Sequence, residues 1–244
     1  MKNNRQKFKI NKNGFTLAEV LITLVIIGII AAMTIPTTIA NYQKEQTVVK
    51  LKKVYGNLLS AYNMSVFENG PVETWTFGDP SNIANSMSKY IIPYLKITKN
   101  CGTNMRDCTN VNRATLNGSH ITYISTLGGW VPFAGCILSD GTLIWGTQDS
   151  PDFLALGVDI NGDKGPNKMG IDAFWFLYDK RAHPDRSFHY MGKPGFYMRG
   201  EGNSKTYLTS GNVGCNKSGT VVAGAMCAAL IKLDGWQIKD DYPW

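Results

Sequence analysis

Gly14-Phe15-Thr16-Leu17-Ala18-Glu19 runs straight into Val20-Leu-Ile-Thr-Leu-Val-Ile-Ile-Gly-Ile-Ile-Ala-Ala-Met-Thr-Ile35, and this stretch decides how the chain is built. It joins a short basic head to a greasy helix of membrane length with one carboxylate, Glu19, near its start. A charged side chain in hydrocarbon costs several kcal/mol, roughly 2.5–3.5 at a helix centre, so Glu19 calls for a partner. The run from Leu17 to Ile35 approaches the roughly 20 residues that cross a bilayer, and exceeds the roughly 7–15 of an ordinary signal-peptide core. It also continues into a charged helix instead of ending at a small-x-small cleavage site.

The formal charge of the 244-residue chain is +7, but its basicity is concentrated at the head. Lys2, Arg5, Lys7, Lys9 and Lys12 all precede Gly14 and account for five of those charges, leaving +2 for the rest. The positive balance is therefore a topology signal that holds the N-terminus in the cytoplasm and turns the body outward, and it makes no strong case for nucleic acid.

Past Pro36 the helical period persists while the composition changes. Tyr42, Val48, Leu51, Val54, Tyr55, Leu58, Leu59, Tyr62 and Val66 recur at spacings suited to one stripe, with lysines on the other faces. Together the two parts predict a helix of roughly 50 residues, about 75 Å long. Pro36 removes an amide donor and crowds the carbonyl of Ala32, which predicts a kink there. From Glu68 the chain breaks into loops, with a short helix predicted over 81–95 that puts Ile83, Met87, Tyr90 and Ile91 on one side. Strands are predicted at Ile121–Ser125, in a hairpin over 135–146 turning at Asp140-Gly141, and at 154–160 and 173–178. Residues 220–233 have helix-like composition. The expected fold is α+β and pilin-like: a long N-terminal helix, half transmembrane and half amphipathic, packed on an antiparallel β-sheet.

Cys101, Cys108, Cys136, Cys215 and Cys227 all fall in the outward body, where disulfides persist. Short separations favour Cys101 with Cys108 and Cys215 with Cys227, leaving Cys136 as the free thiol. No Cys-x-x-Cys pair suggests a metal centre. His120, His183 and His189 are scattered, and no His-Glu-x-x-His, Gly-x-Ser-x-Gly or phosphate-loop motif accompanies them.

Asn13-Gly14-Phe15-Thr16-Leu17-Ala18-Glu19 followed by this apolar run resembles the leader and N-terminal helix of type IV pilins and of the pseudopilins of type II secretion systems. The resemblance covers about the first 50 residues. It implies a basic leader at 1–14, a transmembrane and filament-core helix at 15–36, an amphipathic continuation at 37–67 and an extracytoplasmic β-rich domain at 68–244. It further implies cleavage after Gly14 by a prepilin peptidase and N-methylation of Phe15. The cationic amine so made would pair with Glu19 of a neighbouring subunit, and Pro36 would shape the assembling helix. The partners implied are the peptidase, identical or related subunits, and the inner membrane crossed once before the subunit enters a filament. No catalytic residues or required cofactors are expected. The alternative is a membrane-anchored extracytoplasmic binding or enzymatic domain that keeps its N-terminus.

One loop bears on a ligand. Asp159, Asn161 and Asp163 match the opening of a calcium loop, although Lys164 and Gly170 stand where an EF-hand needs glycine and a bidentate glutamate. Two readings remain open: a different calcium loop closed by Asp172, as some pseudopilins have, or a tight connection whose Asn, Asp and Gly residues supply turns.

Overall fold

The computed structural model describes residues 14–77, 83–119, 134–149, 151–181, 193–220 and 222–244. Strand Ile121–Ser125, the three histidines and the basic leader ahead of Gly14 lie outside them. The chain divides into two compact units, Met1–Gln43 and Lys44–Trp244.

In the first unit residues 17–43 form the start of helix α1, which is continuous over Leu17–Asn69. The helix runs on through Pro36 without interruption. Around it, hydroxyls bond back to the backbone: Thr34 Oγ1 donates to the Ile30 carbonyl, and Thr37 and Thr38 both donate to the Thr34 carbonyl, each at 2.9 Å. Threonine hydroxyls can thus be satisfied inside an apolar helix with no help from water.

In the second unit, α1 buries Thr47, Leu51, Val54, Leu58, Ala61 and Ser65, alternating steps of four and three. Val48, Tyr55, Leu59, Tyr62 and Val66 flank that seam, partly buried. The predicted stripe is therefore real from Val48 onward. Its first member departs: Tyr42, in the first unit, is 60% exposed. The small residues Ala61 and Ser65, which no hydrophobic pattern would select, are wholly buried.

Helix α2 (Ile83–Tyr90) is shorter than the predicted 81–95, with a 3-10 turn over Ile92–Tyr94 that contains Pro93. Proline cannot donate to a helix interior, and the α-helix stops ahead of it. Its inner face is the one expected, with Ile83, Met87 and Tyr90 buried and Ile91 just beyond.

Six strands follow: β1 (Ile97–Gly102), β2 (Gly135–Leu138), β3 (Leu143–Asp149), β4 (Phe153–Asp159), β5 (Ala173–Asp179) and β6 (Gly195–Met198). They form one antiparallel sheet in chain order, β1 to β6. The predicted hairpin is β2–β3: Gly141 N–H donates to the Leu138 carbonyl, Leu138 N–H to the Thr142 carbonyl, and Gly141 takes φ of 85°. This is a three-residue loop with glycine in the left-handed position. Strands β1 and β6 carried too weak an alternation to be predicted. Two short helices close the chain, α3 (Lys205–Leu208) and α4 (Cys227–Leu233).

Period-two alternation sends β4 and β5 residues to opposite faces. Leu154, Leu156, Val158, Phe174, Phe176 and Tyr178 share a cluster with Leu51, Val54 and Leu58 of α1. Ala155, Ala173, Trp175 and Leu177 join Trp145, Cys101, Met105, Val222 and Ala225 on the other face. Burial of both faces explains why β5 reads as an unbroken apolar run. The indole of Trp145 lies over Gly157, its partner across the β3–β4 ladder, where a Cβ would come within 2.2 Å of the ring. The sheet edges are blunted, β1 by two register shifts and β6 by the Glu201 carboxylate, which accepts from the Met198 N–H at 3.0 Å.

Gly157→Ala is expected to cost about 1–3 kcal/mol in denaturant unfolding, because the tryptophan must move. Gly56→Ala, on the exposed side of α1 with nothing within 4 Å of the new methyl, is expected to stabilise by up to about 1 kcal/mol.

Candidate functional site

The first turn of α1 is organised by Thr16 and Glu19. The Glu19 N–H donates to Thr16 Oγ1 at 3.2 Å, while the Thr16 N–H and hydroxyl both donate to Glu19 Oε2 at 2.8 Å. The Thr16 carbonyl takes the first helical bond, from the Val20 N–H at 3.2 Å. This is a reciprocal capping box, in which side chains satisfy amides that have no helical partner. The carboxylate is held by two donors on one oxygen. Gly14 and Phe15 remain outside the helix, and Phe15 is 88% exposed. The peptide joining them is thus presented in non-helical backbone two residues ahead of the first helical position. Thr16 is the member of this site that the motif reading passed over, although Thr-x-x-Glu is a helix-start signature legible in sequence.

Downstream, the large apolar side chains from Leu17 to Ile39 are exposed, from 43% at Val20 to 79% at Leu17. Among the described residues, α1 is the one helix long and apolar enough to cross a membrane. Such a surface fits a single-pass membrane anchor. Pro36 and Glu19 both lie on this helix, 17 residues apart in sequence.

In the body, disulfides join Cys101 to Cys108 and Cys215 to Cys227, and Cys136 is a buried free thiol. Burial pushes the Cys136 thiol up to about 12, far from the range in which a thiolate attacks.

In the 159–172 loop Asp159, Asn161, Asp163 and Asp172 meet different partners. Asp159 Oδ2 and Asp163 Oδ1 meet the guanidinium of Arg113, at 3.0 and 3.1 Å. Asp172 instead accepts from the backbone amides of Asn167 and Lys168, at 2.8 and 2.7 Å, and from the Asn161 side-chain amide at 3.4 Å. Burial pushes the Asp159 carboxyl up to about 7, with Arg113 pulling the other way and Asp172 adding to the rise. Burial also raises Asp172, opposed by the two amides it binds. Arg113 had no signal in the sequence, since it stands 46 positions from Asp159.

An open groove of about 560 Å³ lies between α1 and the β2–β3 turn, lined in part by Asn57, Ser60, Met64 and Tyr94. On its rim Lys53 Nζ pairs with Asp140 Oδ2 at 2.8 Å.

Set beside known proteins, residues 9–35 match the prokaryotic N-terminal methylation motif, so the helix start described above is a prepilin-type signal. The chain is a type IV pilin-like precursor, and its long helix on an antiparallel sheet is the α+β arrangement of pilins. It belongs to the family of unknown function DUF6613, which it matches over residues 37–244. No curated protein and no solved structure matches the chain.

Alkylation reads the cysteine assignment directly. The native protein is expected to resist iodoacetamide; unfolding without reductant exposes one reactive cysteine, Cys136, and unfolding with reductant exposes five. Peptide mass spectrometry checks the position.

Proposed function

We propose that this chain is the precursor of a structural subunit of a type IV pilus-like or type II secretion-like filament. A prepilin peptidase removes residues 1–14, Phe15 becomes the N-methylated terminus, and subunits pack through the apolar part of α1. The observation that carries the reading is the methylation motif at 9–35 on a helix whose apolar side chains are uncovered.

The physical logic follows from what each step changes. Before cleavage, Phe15 has an uncharged amide and Thr16 holds Glu19. Cleavage turns that amide into an amine, cationic even after methylation. A neighbouring subunit's amine can then reach Glu19, and two charges within an apolar environment neutralise one another and set the stagger between subunits. Large side chains such as Leu21, Ile26 and Ile30 each gain about 1.5–3 kcal/mol on leaving water, and both membrane and filament provide for that. The disulfides support an oxidising compartment for the body, with the N-terminus starting in the cytoplasm at the inner membrane. In this reading the role is mechanical and the chain has no catalytic residues of its own.

Mass spectrometry of the purified N-terminus is expected to find N-methyl-Phe15. An intact Met1 start would overturn the proposal in favour of an anchored domain that retains its leader. Glu19→Ala is expected to leave cleavage largely intact while filament yield falls roughly 100-fold or more, the scale of an uncompensated buried charge. Normal filaments from that variant, counted by electron microscopy of sheared material, would remove the charge-pairing step.

A further inference from the structure

The loop joining β4 to β5 gathers carboxylates and carbonyls in a manner that suggests a cation, and the fold supplies one from elsewhere in the chain. Arg113 is fully buried. Its Nε donates to Asp159 Oδ2 at 3.0 Å. Its Nη1 donates to Thr109 Oγ1 at 2.9 Å and the Val111 carbonyl at 2.8 Å. Its Nη2 donates to the Gly162 carbonyl at 3.0 Å and Asp163 Oδ1 at 3.1 Å. A guanidinium has five N–H donors in a fixed planar fork, and here all five find an oxygen. The Trp145 ring closes one side, its centroid 5.5 Å from the guanidinium carbon.

We infer that Arg113 is the resident cation of this loop, and that the loop takes no calcium. Calcium needs about six to eight oxygens aimed at one point from about 2.3–2.6 Å. Here the oxygens of Asp159, Asp163, Gly162 and Val111 are aimed at nitrogens spread over a plane. Asp172, the residue that would close a calcium site, spends both oxygens on the amides of Asn167 and Lys168. Among the described residues, no group of three or more His, Cys, Asp or Glu side chains is placed to hold a metal. The calcium loop expected as one reading of Asp159, Asn161, Asp163 and Asp172 does not fit this arrangement.

The consequence is mechanical. Arg113 clasps the segment after the Cys101–Cys108 disulfide to the β4–β5 loop, alongside backbone bonds from the Ala114 N–H to the Asn167 carbonyl and from the Met169 N–H to the Ala114 carbonyl, both 2.9 Å. Because arginine keeps its charge at any accessible pH, the cation of this clasp is always in place and needs no divalent ion.

Thermal melting of the full-length protein in detergent tests this. The wild-type Tm is expected to be the same, within about 1 °C, in millimolar calcium chloride and in EDTA, while Arg113→Ala lowers it by roughly 10 °C. Arg113→Lys is expected to fall between them, because one ammonium cannot span the same oxygens. A wild-type Tm that rises by several degrees in calcium overturns the inference, as does an Arg113→Ala or Arg113→Lys protein as stable as the wild type. Should Arg113→Ala fail to fold, the lysine variant and the calcium and EDTA melts of the wild type decide it.

Discussion

The apolar side chains of Leu17–Ile39 have to leave water, and most of this protein follows from how that is arranged. Among the described residues of their own unit nothing covers them, and their helix carries an acidic group at its head. A lipid or protein environment satisfies the apolar surface but makes Glu19 costly unless it is partnered. Thr16 provides the first partner, locally, through a capping box that occupies one carboxylate oxygen. The second, in the function proposed, comes only when cleavage creates a charge on another subunit. In that proposed function one local helix-start signature serves both the folding of the precursor and the chemistry of assembly.

The second unit solves the ordinary problem of a core with an unusual economy of edges. The seam of α1 carries Leu51, Val54 and Leu58 at its middle and the small Ala61 and Ser65 at its far end, and Tyr178 of β5 and Phe196 of β6 lie near Tyr62. Gly146 and Gly157 admit close neighbours, Ile83 of α2 and the indole of Trp145. Each is a place where a methyl group would displace something, so close packing and not hydrophobicity alone sets these residues. With both faces buried, β1 broken by register shifts and a β6 amide taken by Glu201, the sheet offers little for another strand to extend.

How much was legible differs by the range of the interaction. The helix, its apolar run, the stripe from Val48 and the β2–β3 hairpin are recorded in residues a few positions apart, and periodicity or turn chemistry reveals them. The edge strands β1 and β6 were missed because edges need only a few residues and no strong alternation. Tyr42 fits the helical period but is exposed, since period says which residues share a face and nothing of what that face meets. Asp159 and Asp163 match the opening of a cation loop in sequence, and in the fold both meet a guanidinium. The identity of that charge lay 46 residues upstream, beyond any local pattern.

Sequence alone therefore determined the front of the chain. Gly14, Phe15, Thr16 and Glu19 stand within six consecutive positions, and the hydrogen bonds between Thr16 and Glu19 close there without the rest of the fold. Tertiary structure alone decided what holds the body together: which loop Arg113 enters, which glycine admits Trp145, and how both faces of the sheet are covered. The physical reason is the same in each case. A capping box is closed by adjacent peptide units, whereas a buried ion pair or an interlocked ring needs two distant stretches brought together first, and only the folded chain specifies which two.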